Sequence, residues 1–364
     1  MKFKENWDET RKRFEAWWNR SKIGRPMLRI VAKRKKPVEE LEPVDGPRTP
    51  KEMYLDVERR VKEIRNYCRT HIFLAESYPS LDLNIGPGSM ATYLGSEPIF
   101  AWDTVWYKEC VHDWEEFGEL RFDSDNFWWN THLELIQKAQ DLAQGDFLVN
   151  IPDIIENLDI LSAMRGPFAF CYDLIDRPEL VKELVERIDQ LYFQYYDPMH
   201  HAVRNEKGGS SYTAFHIWGP GKTAKVQCDF AAMMSPKQFR EFAQPSLTRQ
   251  CEALDYSLFH LDGPDCVRHV DALMEIEALD ALQFEPGAGK PDGGNEVWYP
   301  IYEKVRAAGK SLWVYLRDGG YDDWVRSADR LVNRFGSDGL YLLFPDMEEE
   351  QAYRLIDRAE KYWS

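Results

Sequence analysis

Apolar residues recur along this chain with two alternating periods, and residues 235–289 show the switch most clearly. Ser235, Pro236 and Gln238 make a helix start: a capping hydroxyl, a proline at the first helical position and a glutamine that completes a capping box. Phe239, Phe242, Leu247 and Leu254 then mark an apolar helical face, with a bend expected at Pro245. The run YSLFHLDG follows as a short strand. Side chains alternate along a strand, so Leu258, His260 and Asp262 share one face. The next run, LDALQFEPG, repeats the design with Gln283 and Glu285 on a common face. Both strands are mostly apolar and end in polar groups, at the end where parallel α/β folds gather their chemistry.

The same alternation extends over the whole chain. Residues 5–20 read as an amphipathic leading helix and 25–32 as an early strand. A helix over 50–67 places Tyr54, Val57, Val61 and Ile64 on one stripe, and one over 178–196 does so with Leu180, Leu184, Ile188 and Leu191. Strands are expected at 71–76, 146–151, 212–218, 256–262, 279–285, 311–317 and 339–344, most of them separated by helical pattern, with helices at 299–308 and 348–363. Either 25–32 or 225–229 supplies an eighth strand. This alternation predicts an α/β protein with a single (β/α)8 TIM barrel and an elaborated N-terminal region. Residues 1–70 are then an extension packed on the barrel, 71–364 the barrel itself, and 77–130 a wrapping around its mouth or side.

Composition narrows the functions open to such a barrel. The chain has 364 residues, 30% of them charged, and a formal net charge of −16. That balance argues against binding nucleic acid or an anionic membrane surface. The one basic run, KRKK at 33–36, reads as a solvated strand end. The N-terminus lacks the apolar core of a signal peptide and nothing later offers ~20 consecutive apolar residues, so a cytoplasmic location is expected. Six scattered cysteines without a CxxC pair read as free thiols. No GxGxxG follows a strand, no Walker A sequence occurs, and GPGK at 219–222 reads as a turn. Trp102, Trp106, Trp114, Trp128 and Trp129 supply either lid packing or an apolar wall for a large flat ligand.

If the barrel forms, its mouth collects many groups able to do chemistry. His260 with Asp262 is the sharpest pair, since an imidazole and a carboxylate on one strand face suit metal binding or acid–base work. Glu285 and Asp229 end neighbouring strands and are expected to support it. Glu76, His216, Trp218, Tyr315 and Arg317 are the expected substrate-binding residues around the same rim.

The frame MSPKQFREFAQPSL, then HLDG, then EPGAG, resembles the uroporphyrinogen decarboxylase superfamily, and more particularly its corrinoid-dependent methyltransferase branch. NIGPGSMATYLG and IPDIIENLDILSAMRGPFAFCYDLIDRPELVKELVE resemble it too, so that the likeness spans roughly residues 70–360. It implies a TIM barrel with its active site at the carboxyl ends of the strands. Uroporphyrinogen decarboxylases carry an arginine-rich RQAGR loop that holds substrate carboxylates; this chain has GRPMLRIVAKRKK there. The aspartate of those enzymes that holds pyrrole nitrogens corresponds loosely to Asp82. The methyltransferases resemble one another in a zinc site built from H-x-C and a late cysteine. Here the motif reads His260-Leu261-Asp262, and no cysteine follows Cys266. A soft thiolate site is thereby excluded at that position, which argues against coenzyme M as acceptor. A harder site for zinc or another divalent metal remains, from His260, Asp262 and Glu285. The expected function is methyl transfer between a small molecule and a corrinoid, free or on a corrinoid protein partner, with His260, Asp262, Glu285, Asp229 and Asp82 as catalytic residues. The alternative is a lyase that decarboxylates a tetrapyrrole or smaller carboxylate.

Overall fold

A computed structural model describes residues 1–363. Its centre is a mostly parallel sheet in the order Met347–Glu348, Met27–Lys33, Leu340–Leu343, Ser311–Tyr315, Ala281–Glu285, Tyr256–Asp262, Thr223–Gln227. These strands are short apolar runs buried on both faces, as a parallel sheet covered by helices requires. Helices Tyr299–Ala307 and Tyr321–Phe335 are the crossovers between successive strands, and Glu349–Tyr362 closes the chain. Both candidates for the eighth strand thus lie in the sheet, and the segment 1–70 contributes one of its inner strands instead of lying wholly outside it.

Two expected strands behave differently. His71–Ala75 runs antiparallel along Met27–Lys33, off the main path, so 71–76 is not a parallel strand of the sheet. The stretch expected as one strand at 212–218 is a hairpin, Ser210–Tyr212 against Ile217–Gly219. Ala214 (φ 61°) and His216 (φ 48°) reverse the chain there in a backbone region that non-glycine residues seldom adopt, which pattern reading does not anticipate.

Ser80–Leu81 and Leu148–Val149 form a separate parallel pair. The spaces between this pair and the main sheet are spanned largely by side chains. Ser77 Oγ donates to the Ile30 carbonyl at 2.7 Å on one side; on the other, Asn157 Nδ2 donates to the Gln227 carbonyl at 2.7 Å, and Gln227 N–H to Glu156 Oε1. The result is barrel-like, although the backbone ladder itself is an open arc.

The amino ends of the strands are stoppered by the leading helix, Trp7–Trp18. Trp17 and Trp18 are fully buried. Trp17 O accepts from Ser311 Oγ at 2.8 Å, Trp18 Nε1 donates to Trp218 O at 2.8 Å, and Phe14 packs on Tyr78 and Tyr341 at 5.8 Å. With that end filled by aromatic rings, only the carboxyl ends are left open for polar groups. The capping box at Ser235 is present, with Ser235 Oγ accepting from Gln238 N–H at 3.3 Å. A π-helical turn, Phe239–Ala243, leads into Gln244–Ala253 and puts Pro245 in the first turn of that helix, where its missing N–H costs little.

Glu76 ties the helix to the sheet. It is 1% exposed and accepts from Arg13 Nε at 2.5 Å, Arg25 Nη1 at 2.9 Å and Leu28 N at 2.7 Å. Burial pushes its carboxyl up, but Arg25 and Arg13 overcome this and hold it below the ordinary range. Replacing Glu76 by Gln removes the counter-charge of two partly buried guanidinium groups, so Glu76→Gln is expected to lower unfolding free energy by about 2–4 kcal/mol in urea titrations. A loss under about 1 kcal/mol would show the cluster to be dispensable.

Candidate functional site

Three adjacent strands build the site layer by layer. Register places Lys225 beside Leu258, then Gln227 beside His260 and Gln283, then Asp262 beside Glu285, all on the inward face. Asp229 follows two residues beyond Gln227 and continues that face at the carboxyl end. One ligand atom each from Asp229, His260 and Asp262 fall within 4.8 Å of one another.

The histidine is oriented from behind. His260 Nδ1 meets Gln283 Oε1, which can only accept, so Nδ1 carries the proton and Nε2 presents its lone pair. Burial holds the imidazole below its ordinary pKa, with the Gln283 bond opposing, so the ring is neutral near pH 7. Phe215, at the hairpin tip, packs over it at 5.1 Å.

Asp229 is placed by a second aspartate. Asp159 Oδ2 accepts from Asp229 N and Oδ1 from Phe230 N, both at 2.8 Å, while Gln227 Nε2 donates to Asp229 Oδ2 at 3.0 Å. Asp229 is exposed at the rim of the site, although protein groups crowd round its carboxyl. Burial, then the neighbouring charges of Asp159 and Asp262, push its carboxyl up to about 8. A cation bound among these groups would draw that proton off.

Beneath lies Lys225, 0% exposed, paired with Asp153 Oδ2 at 2.7 Å and hydrogen-bonded to Gln227 Oε1. Burial disfavours its charge, but Asp153 and Glu156 outweigh burial and its pKa is raised. Glu156 is fully buried with one oxygen lacking a partner, and burial pushes its carboxyl up to about 8. The ion pair of Lys225 is made with Asp153; Glu156, itself pushed toward its neutral form, supports the ammonium only at a distance.

The other expected residues divide. Glu285 sits beside Asp262 in register, yet its carboxylate is committed to Arg317, with Nη1 at 3.3 Å, and Asp229 takes the third place in the cluster expected for it. Arg317 lies over Tyr315 at 5.8 Å. His216 and Tyr315 line a cavity of about 370 Å3 with Arg29 and Trp313. Burial, aided by Arg29, lowers His216 to about 3, so it is a neutral hydrogen-bonding group. Asp82, raised by burial, bonds Asn84 and keeps one oxygen without a partner. Glu76 and Trp218 do not reach the triad: the first is locked to Arg13 and Arg25, the second packs against Trp7 at 5.7 Å beneath the sheet. Asp159, Lys225 and Gln227 escaped sequence reading. The alternation of K, Q and D in TAKVQCD was the available signal, of the same form as His260 and Asp262 one strand over.

The pKa of Glu156 has a consequence for stability. Between its unfolded value near 4.5 and about 8, the folded chain binds the extra proton, so stability falls as pH rises through that window. The drop from this group is at most about 5 kcal/mol. Glu156→Gln keeps the acceptor for Gln227 and removes the titration. Urea midpoints at pH 5 and pH 8 are expected to differ less in that variant than in the parent; equal differences would put the proton elsewhere.

Compared with known proteins, the chain matches no family model and no curated protein. Seventeen chains among solved structures do match. One, titled methyltransferase from Methanosarcina mazei, aligns with a TM-score of 0.64 at 13% identity, covering 98% of this chain and 99% of that one. At such identity the match speaks for architecture. From end to end, this chain shares its fold with that methyltransferase.

Proposed function

We propose that this protein is a methyltransferase that moves a methyl group between a small molecule and a corrinoid, free or carried by a partner protein. The observation that supports it most is the convergence of Asp229, His260 and Asp262 at the carboxyl ends of adjacent strands, in a fold shared with a methyltransferase. One imidazole lone pair and two carboxylates make a hard donor set suited to zinc or another divalent cation. The nearby thiols stand outside the triad: burial raises Cys228 far above, and Cys266 to about 12, so neither is a thiolate. When bound, the cation would supply a Lewis acid for the group that receives or releases the methyl.

The chain's own residues do the rest. Gln283 fixes the His260 tautomer, Asp159 fixes the backbone of Asp229, and Asp229 gives up its proton on taking a cation. The Glu285–Arg317 pair, Tyr315 and His216 stand ready to contact substrate on the neighbouring strands.

A carboxy-lyase reading draws on one different observation, the unpartnered Asp82 oxygen, and gives the triad no part. Variants separate the two. Transfer from a methylated corrinoid, followed by its absorption spectrum, should fall about 100-fold or more in kcat/KM for His260→Ala and Asp229→Asn. Asp82→Asn should change it by less than about threefold. One divalent metal per chain, lost in His260→Ala, is expected by elemental analysis. Robust decarboxylation of uroporphyrinogen that depends on Asp82 and not His260 would overturn the methyltransferase reading.

A further inference from the structure

Beside the triad, Asp229 also borders a cavity of about 380 Å3 whose walls combine carboxylates with aromatic and aliphatic groups. Three carboxylates line it, Glu109, Asp159 and Asp229, together with the aromatic rings of Trp106, Tyr107 and Phe230. Among the described residues, no lysine or arginine lines it. The Arg317 and Lys225 charges are already committed to Glu285 and Asp153. Glu109 itself projects over Gly166, a left-handed glycine (φ +86°) at which any side chain would collide with that carboxylate. Trp106, 63% exposed, stands at the outer wall on the Pro98–Phe100/Val105–Tyr107 hairpin.

We infer that this cavity binds a small methylated cation, a quaternary ammonium or sulfonium compound, as the methyl-bearing substrate of the site. Such an ion has no proton to donate, so it needs no aligned acceptor. It is held instead by ring faces and by carboxylates at longer range, which is what these walls present. Should Asp229 be engaged by a metal, the carboxyl groups of Glu109 and Asp159 still line the cavity. The same walls repel anionic thiols and carboxylates, for which the cavity offers no cation. The inference rests on the methyltransferase reading only for the ligand's role as substrate; binding itself does not depend on it.

The test compares choline with its uncharged isostere, 3,3-dimethylbutan-1-ol, by calorimetry on the full chain at fixed ionic strength. Choline is expected to bind about tenfold or more tightly than the isostere. Glu109→Gln, at an exposed position, should weaken choline about threefold or more and leave the isostere unchanged. Equal binding of the two, no binding of choline, or tighter binding of 2-mercaptoethanesulfonate would each overturn the inference. Choline binding with no methyl transfer to any corrinoid would remove the methyltransferase reading and leave the cation site standing. Transfer from neutral donors alone, without choline binding, would do the reverse.

Discussion

A single lysine with no access to water organises the interior of this protein. Lys225 sits among Asp153, Glu156, Asp159 and Asp229, and only Asp153 meets it as a full ion pair. Its second bond goes to the Gln227 oxygen, which turns the Gln227 amide toward Asp159 and Asp229. The position of the carboxylate that joins His260 and Asp262 therefore follows from where a buried ammonium finds its partners. A pair so deep in the fold is a poor source of stability, because desolvating both charges offsets much of their attraction. Its effect is to permit one arrangement of the surrounding carboxylates and to penalise the others.

The division of labour between the two ends of the sheet has a comparable origin. Trp17, Trp18 and Phe14 fill the amino ends, where Trp18 Nε1 and Ser311 Oγ find carbonyls at hydrogen-bonding distance and Trp17 Nε1 has no partner. Glu76 belongs to this structural half, since two arginines from the helix side and a backbone N–H saturate it. At the carboxyl ends two buried carboxyl oxygens, one of Glu156 and one of Asp82, are left without partners, and exposed Asp229 holds a proton near neutrality. Unsatisfied buried groups are costly, and they concentrate where a ligand can complete them.

How far the sequence foretold this depends on the range of each interaction. The alternation in YSLFHLDG needs only neighbouring residues, and it placed His260 and Asp262 together. The capping box at Ser235 is equally local and is present. Glu285 looked like a third ligand because its strand position is right, yet its role is decided by Arg317, 32 residues away, whose guanidinium reaches it across the next strand. Asp229 and Lys225 carried the same alternation as His260, but a lysine in a buried strand reads as a surface face until its partner Asp153, from another strand end, is known. The hairpin at 210–219 was illegible for a different reason. Its turn rests on left-handed alanine and histidine, and their strain is met by contacts from Trp313 and Tyr341 to the tip's carbonyls.

The character of the donors bears on what chemistry this site can host. Carboxylate oxygen holds a cation largely by charge and imidazole by its lone pair, whereas thiolates bind with more covalency. A triad of Asp229, His260 and Asp262 brings two carboxyl groups beside a cavity that adds those of Glu109 and Asp159. A divalent ion held by the triad would draw the proton from Asp229 and leave the carboxyl groups of Glu109 and Asp159 outside its ligand set. An anionic acceptor approaching this end of the sheet meets repulsion from every carboxylate that is not already paired, and a cationic one meets the opposite. A carboxylate at Asp262 agrees in sign with the carboxyl groups around the mouth, and that sign disfavours an anionic thiol.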